Sequence, residues 1–113
     1  MRIYKKKNNF IFTDTKLDLE ELIPNTVDAA LEKHVPSYST SFDKINVVIG
    51  ASEHPMTEEH YIEWILIETN KSFRVTYLKP HDEPKTSYVL EEGEELINIY
   101  AYCNLHGLWS IAK

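Results

Sequence analysis

His60-Tyr61-Ile62-Glu63-Trp64-Ile65-Leu66-Ile67-Glu68-Thr69 runs through Asn70-Lys71 into Ser72-Phe73-Arg74-Val75-Thr76-Tyr77-Leu78-Lys79. The reading of this stretch decides the fold. β-branched and aromatic residues dominate both halves, and neither contains glycine or proline, so each suits a pleated strand. Asn70-Lys71 supplies a tight turn between them. In the second half Phe73, Val75 and Tyr77 alternate with Arg74, Thr76 and Lys79, until Leu78 breaks the pattern. The first half is apolar on both faces. Its outer face therefore needs a cover, and a second subunit is the cover this pattern suggests.

Working outward, Lys44–Ser52 carries Ile45, Val47, Val48 and Ile49, and Lys85–Leu90, Glu95–Cys103 and Leu108–Ala112 read as further strands. Pro80-His81-Asp82-Glu83-Pro84 and Glu91-Glu92-Gly93-Glu94 mark loops. Within Glu95–Cys103, Ile99, Ala101 and Cys103 share one face while Tyr100 and Tyr102 share the other. Cys103 thus ends a strand at a rim. A helical turn is expected only around Val27–Lys33, capped by Asn25 or Thr26 and stopped before Pro36. Short strands and turn signals at this spacing predict an all-β fold, an antiparallel β-sandwich of about seven strands. Residues 1–113 are expected to form one domain.

Composition narrows the function. The 12 basic and 18 acidic residues give a net charge of −6, which argues against nucleic-acid binding. Lys5-Lys6-Lys7 is the one basic run and reads as a solvated edge. No apolar run approaches the ~20 residues of a membrane-spanning helix, and the N-terminus lacks the pattern of a secretory signal. A lone cysteine makes no internal disulfide and suits a reducing cytoplasm.

Four of the five histidines and that cysteine sit in three short segments: Glu32-Lys33-His34-Val35-Pro36, His54 to His60, and Cys103-Asn104-Leu105-His106-Gly107. Imidazole and thiolate are the main protein ligands of first-row transition metals. Four nitrogens and one sulfur exceed the needs of a tetrahedral structural zinc site and leave a sixth position open on a six-coordinate ion. Taken singly, each residue has a plainer reading, as a surface histidine or a buried apolar cysteine. Together, punctuated by Pro36, Pro55 and Gly107, they point to one ion. His81 lies in a charged loop and reads as solvent-exposed.

Glu32-Lys33-His34-Val35-Pro36, then His54-Pro55-Met56 with His60, Ile62 and Trp64, then Cys103-Asn104 with His106-Gly107 and Trp109, stand in an order that resembles a known family. The chain is similar to the superoxide reductases called neelaredoxins and to the iron-binding catalytic domain of desulfoferrodoxin. The likeness runs from Ala29 to Trp109, and the first 28 residues add little to it. It implies an immunoglobulin-like sandwich holding one iron. His34, His54 and His60 would bind through Nε2 and His106 through Nδ1 in one plane, with the Cys103 sulfur axial. Lys33 would attract superoxide and orient the water that protonates the product, and Glu32 would take the sixth position of the oxidised ion. The second iron of desulfoferrodoxin needs a four-cysteine module that Cys103 alone cannot build. The resemblance also implies a rubredoxin-like electron donor and a homotetramer. Two rival readings remain at this point: a closed structural zinc module, and an iron protein acting as an electron carrier or an oxygen-evolving dismutase.

Overall fold

The computed structural model describes residues 1–27, 29, 31–50 and 53–111, apart from the side chains of Leu31 and Glu32. The expected strand ends at Ser52 and Ala112 lie outside the described residues. In chain order the elements are β1 (Arg2–Lys6), β2 (Asn9–Thr13), the helical turn α1 (Leu31–His34), β3 (Pro36–Ser41), β4 (Lys44–Ile49), β5 (Ile62–Thr69), β6 (Phe73–Tyr77), β7 (Lys85–Val89), β8 (Leu96–Cys103) and β9 (Gly107–Ser110).

Seven of these strands make the sandwich. One sheet has the order β3-β4-β7 and the other β6-β5-β8-β9, all antiparallel. Period-two alternation sends Ile45, Val47 and Ile49 of β4 against Ile65 and Ile67 of β5 and Ile99, Ala101 and Cys103 of β8. That shared apolar layer removes the inner faces from water. It is the main force holding the sheets together. At one edge the hydroxyls of Thr76 in β6 and Thr86 in β7 lie 2.9 Å apart and join the two sheets.

The end of the sandwich away from Cys103 is fastened by the buried carboxylate of Glu94. It accepts hydrogen bonds from Thr69 Oγ1 at 2.5 Å, Tyr88 Oη at 2.9 Å, Ser72 Oγ at 3.2 Å and the Glu91 amide at 2.9 Å. The Glu91 N–H, followed by the Thr69 hydroxyl, holds its pKa down at about 2.

The remaining two strands correct the expectation drawn from β5. Its outer face, with Trp64 and Leu66, is buried within the chain itself. The β1–β2 hairpin lies over it, so that Trp64, Leu66, Tyr100, Tyr102 and Leu108 form a second cluster with Ile3, Phe10 and Phe12. Phe10 and Phe12 meet the Trp64 ring edge-on at 5.3 and 5.1 Å. Left exposed, Trp64 and Leu66 would each forfeit about 1.5–3 kcal/mol. The N-terminal residues supply the outer cover of the sheet. The segment after β2 returns along β1, where Leu22 N–H donates to the Ile3 carbonyl and Leu17 N–H to Tyr4 Oη.

Asn25 is engaged with β9: its side chain bonds both the N–H and the carbonyl of Ser110, at 3.0 and 3.2 Å, and its φ is 63°. The expected helical start at residues 28 and 30 lies outside the described residues. Strand β3 was not foreseen, because Ser37 to Ser41 are all exposed and carry no alternating apolar pattern. Backbone pairing with β4 creates it.

Candidate metal centre

Three connections converge at one end of the sandwich. The first is α1, which ends at His34 just before Pro36 starts β3, since a residue preceding proline is pushed out of the helical region. The second is the loop from β4 to β5. His54 N–H donates to the Ile49 carbonyl at 3.2 Å, and a tight turn exchanges bonds between Thr57 and His60. Ile62 N–H closes that loop onto Met56 Sδ at 3.3 Å. The third is the turn between β8 and β9, where Gly107 takes a φ of 80°, a region that glycine enters without steric cost.

The four imidazoles form a near-square. Ring centroids around its sides lie 4.8 Å apart for His34–His54, 4.6 Å for His54–His60, 5.0 Å for His60–His106 and 4.7 Å for His106–His34. The His34–His60 diagonal is 6.2 Å, and neighbouring rings stand nearly perpendicular, at 75° to 90°. One donor atom from each of His34, His54, His60 and Cys103 lies within 4.8 Å of the others. His106 joins them through Nδ1, 2.9 Å from His34 Nε2 and 3.9 Å from Cys103 Sγ. All five expected ligands are therefore together.

The donor atoms suit a cation. Two nitrogens bound at right angles to one ion with bonds of about 2.1 Å sit roughly 3 Å apart, close to the His34–His106 separation. His54 Nδ1 lies 2.6 Å from the Pro55 carbonyl; donating there fixes the tautomer that leaves Nε2 with its lone pair inward. His54 Nε2 and His60 Nε2 are buried with no hydrogen-bond partner among the described residues. Buried polar nitrogens of this kind are costly to leave unmatched, and an ion between them satisfies both.

Burial lowers the His54 pKa to about 4; the Pro55 carbonyl opposes this, while His34, His60 and His106 add to it. Burial likewise lowers His60, with smaller contributions from His106, His34 and Lys33. Both rings are then neutral near pH 7, as ligands must be. Burial raises the Cys103 thiol, against hydrogen bonds from the Leu105 and His106 amides and with the Glu63 charge adding to the rise. A bound metal would take this sulfur as thiolate.

Lys33 is exposed beside the centre. Glu32 lies in α1, but its side chain is outside the described groups. His81 is exposed, as expected. Two supporting residues escaped sequence reasoning. Asn104 clamps the third segment to the second: Oδ1 accepts from Tyr61 N–H and Nδ2 donates to the Glu59 carbonyl, both at 3.0 Å. Trp109 stacks on His34 at 4.9 Å and donates Nε1–H to the His106 carbonyl at 3.1 Å. Both stand in the third motif of the family resemblance, but the motif alone does not reveal a partner across the loop.

The desulfoferrodoxin family model matches residues 26–112, a span containing all five ligand candidates. The chain belongs to the desulfoferrodoxin family. A desulfoferrodoxin from Syntrophotalea carbinolica is 48% identical over 87 residues, which cover 76% of this chain and 67% of that one. The crystal structure of the superoxide reductase from Treponema pallidum superposes with a TM-score of 0.87 at 29% identity, covering 97% of this chain and 98% of that one. The superoxide reductase (1Fe-SOR) from Giardia intestinalis matches with a TM-score of 0.59 at 33% identity, over 70% of this chain and 94% of that one. At 97% coverage the match to the Treponema structure takes in the β1–β2 hairpin as well as the sandwich. Desulfoferrodoxin-family membership and the five-donor cluster thus coincide in the same residues.

Proposed function

We propose that this chain is a superoxide reductase, converting superoxide to hydrogen peroxide with one electron and two protons and evolving no oxygen. The observation that carries this reading is the near-square of imidazoles beside the Cys103 sulfur, with the His54 and His60 nitrogens otherwise unpartnered. An iron ion bound there would supply the electron, and a thiolate ligand from Cys103 would favour its release. His34, His54, His60, His106 and Cys103 are the residues that would hold it. Five donors would leave a six-coordinate ion room for substrate.

Lys33 attracts the superoxide anion and orients the water that delivers protons; its exposure and its influence on His60 support this role. Glu32 would serve as a ligand of the oxidised ion, a role supported by the intact Glu-Lys-His-Val-Pro motif. Among the described residues there is no second metal-ligating cluster, so turnover draws its electron from outside, from a rubredoxin-like donor. Residues 1–113 act as one domain, with the hairpin packed on the sandwich. The free Cys103 supports a cytoplasmic setting. Homotetramer assembly rests on the family resemblance, since the outer face of β5 is already covered by the hairpin. Among the described residues no helix is long and apolar enough to cross a membrane, and the net charge of −6 disfavours nucleic acid.

Stopped-flow mixing of the reduced, iron-loaded protein with superoxide tests the reading. One peroxide per iron oxidised, without oxygen, is expected. Oxygen evolution would instead mark a dismutase, and a colourless protein loaded with zinc would remove the redox chemistry.

A further inference from the structure

Lys5-Lys6-Lys7 is not a remote edge. Antiparallel register pairs Arg2 with Thr13 at the base of the hairpin and Lys6 with Asn9 near its tip. Phe12, nearer the base, touches Trp64 and Phe73, whereas Phe10, nearer the tip, touches Trp64 and Tyr102. Phe73 pairs with Glu68 toward the far end of β5, and Tyr102 directly precedes Cys103. The hairpin therefore points its tip toward the end of the sheet where the metal ligands lie.

That tip is anchored. Lys5 Nζ donates to Tyr102 Oη at 3.3 Å and sits 5.2 and 5.7 Å from the centroids of the Tyr102 and Phe10 rings. Lys6 and Lys7 stay exposed, and among the described residues neither forms an ion pair. The loop carrying His54 and His60 exposes Glu53, Glu58 and Glu59. The metal end is thus basic beside the hairpin and acidic beside that loop, in a chain of net charge −6.

We propose that the hairpin tip, through Lys6 and Lys7, is the electrostatic docking surface for a small acidic one-electron donor protein. This rests on the reading that an outside electron restores the centre. In the step itself, the donor's iron is oxidised from Fe2+ to Fe3+ and the oxidised centre at Cys103 regains one electron; no atom is transferred. Complementary patches of this kind mainly raise the association rate. They also orient the partner, since the exposed carboxylates of the His54–His60 loop repel an acidic surface.

The test compares the wild type with Lys6→Glu/Lys7→Glu, both exposed positions, after circular dichroism shows the same fold. Oxidised, iron-loaded protein is mixed with reduced rubredoxin, an acidic iron protein, and bleaching is followed by stopped flow. Binding of zinc-substituted rubredoxin is read in parallel by calorimetry. The double variant should lower the second-order rate constant about tenfold at low ionic strength, weaken binding, and lose its difference from wild type at high salt. Oxidation of the reduced variant by superoxide should proceed at the wild-type rate. Equal rates with rubredoxin would overturn the proposal, as would an equal slowing with superoxide, which would assign the lysines to the small anion. If superoxide failed to oxidise either protein, the proposed function would fail while the docking comparison still stood.

Discussion

Phe10→Ala probes the burial of the outer face of β5. Phe10 is half-buried, contacts Trp64 at 5.3 Å and Tyr102 at 4.8 Å, and carries the Lys5 ammonium over its ring. A fully buried phenylalanine costs about 3–5 kcal/mol when cut to alanine. Partial exposure reduces that, while two edge contacts worth about 0.5–1.5 kcal/mol each keep it substantial. A loss of about 2.5 kcal/mol follows. With an unfolding entropy near 2 cal/mol/K per residue, this lowers the Tm of a chain this long by about 10 °C. Differential scanning calorimetry of the iron-loaded protein over a range of protein concentrations is the assay. The midpoint should drop at every concentration while the visible spectrum stays unchanged, because the ligands lie at the rim and not under the hairpin. A midpoint shifted by less than 2 °C, or one that rises steeply with protein concentration in the wild type, would refute the reasoning. In that case another chain, and not β1–β2, would be sealing Trp64 and Leu66.

Lys33→Ala should slow the second-order reaction with superoxide about tenfold, equivalent to ~1.4 kcal/mol on the barrier; an unchanged rate at low salt removes Lys33 from the mechanism. Asn104→Ala removes two hydrogen bonds joining the ligand loops, a loss of about 2 kcal/mol, and should shorten the lifetime of bound iron against a chelator. Asn104→Asp, which keeps the acceptor for Tyr61 N–H, should recover part of that lifetime; identical iron loss in all three proteins would deny Asn104 a clamping role. In the metal-free protein, burial holds the His54 pKa at about 4, against an ordinary imidazole value of 6.5, so between these values the unfolded chain binds more protons than the folded one. Metal-free stability should be intact above pH 6.5 and decline as pH falls from 6.5 to 4. Urea midpoints measured across that window check this, and His54→Gln should flatten the decline.

Legibility in the sequence followed the range of the interaction. The strands β4 to β9 were readable because β-branched and aromatic enrichment between turn residues, with alternation in several of them, is a local property that each segment carries alone. Ile99, Ala101 and Cys103 do face the core and Tyr100 and Tyr102 the other side. The five ligand candidates were readable because few side chains bind transition metals and these fell beside residues that break regular structure. Strand β3 was not readable, since its exposed serines and threonines gain strand geometry only from pairing with β4. The clamp made by Asn104 was equally hidden, because its partners at Glu59 and Tyr61 lie more than forty positions away.

The chain's own chemistry therefore determined that it is a β-sandwich and that His34, His54, His60, Cys103 and His106 are its metal-binding candidates. Only the tertiary structure decided what covers Trp64, where the lysines of the hairpin tip lie, and how the four rings stand in a square. Periodicity and ligand type are properties of single segments. Which segment packs on which depends on contacts between residues such as Lys5 and Tyr102, brought together only when the sheets form.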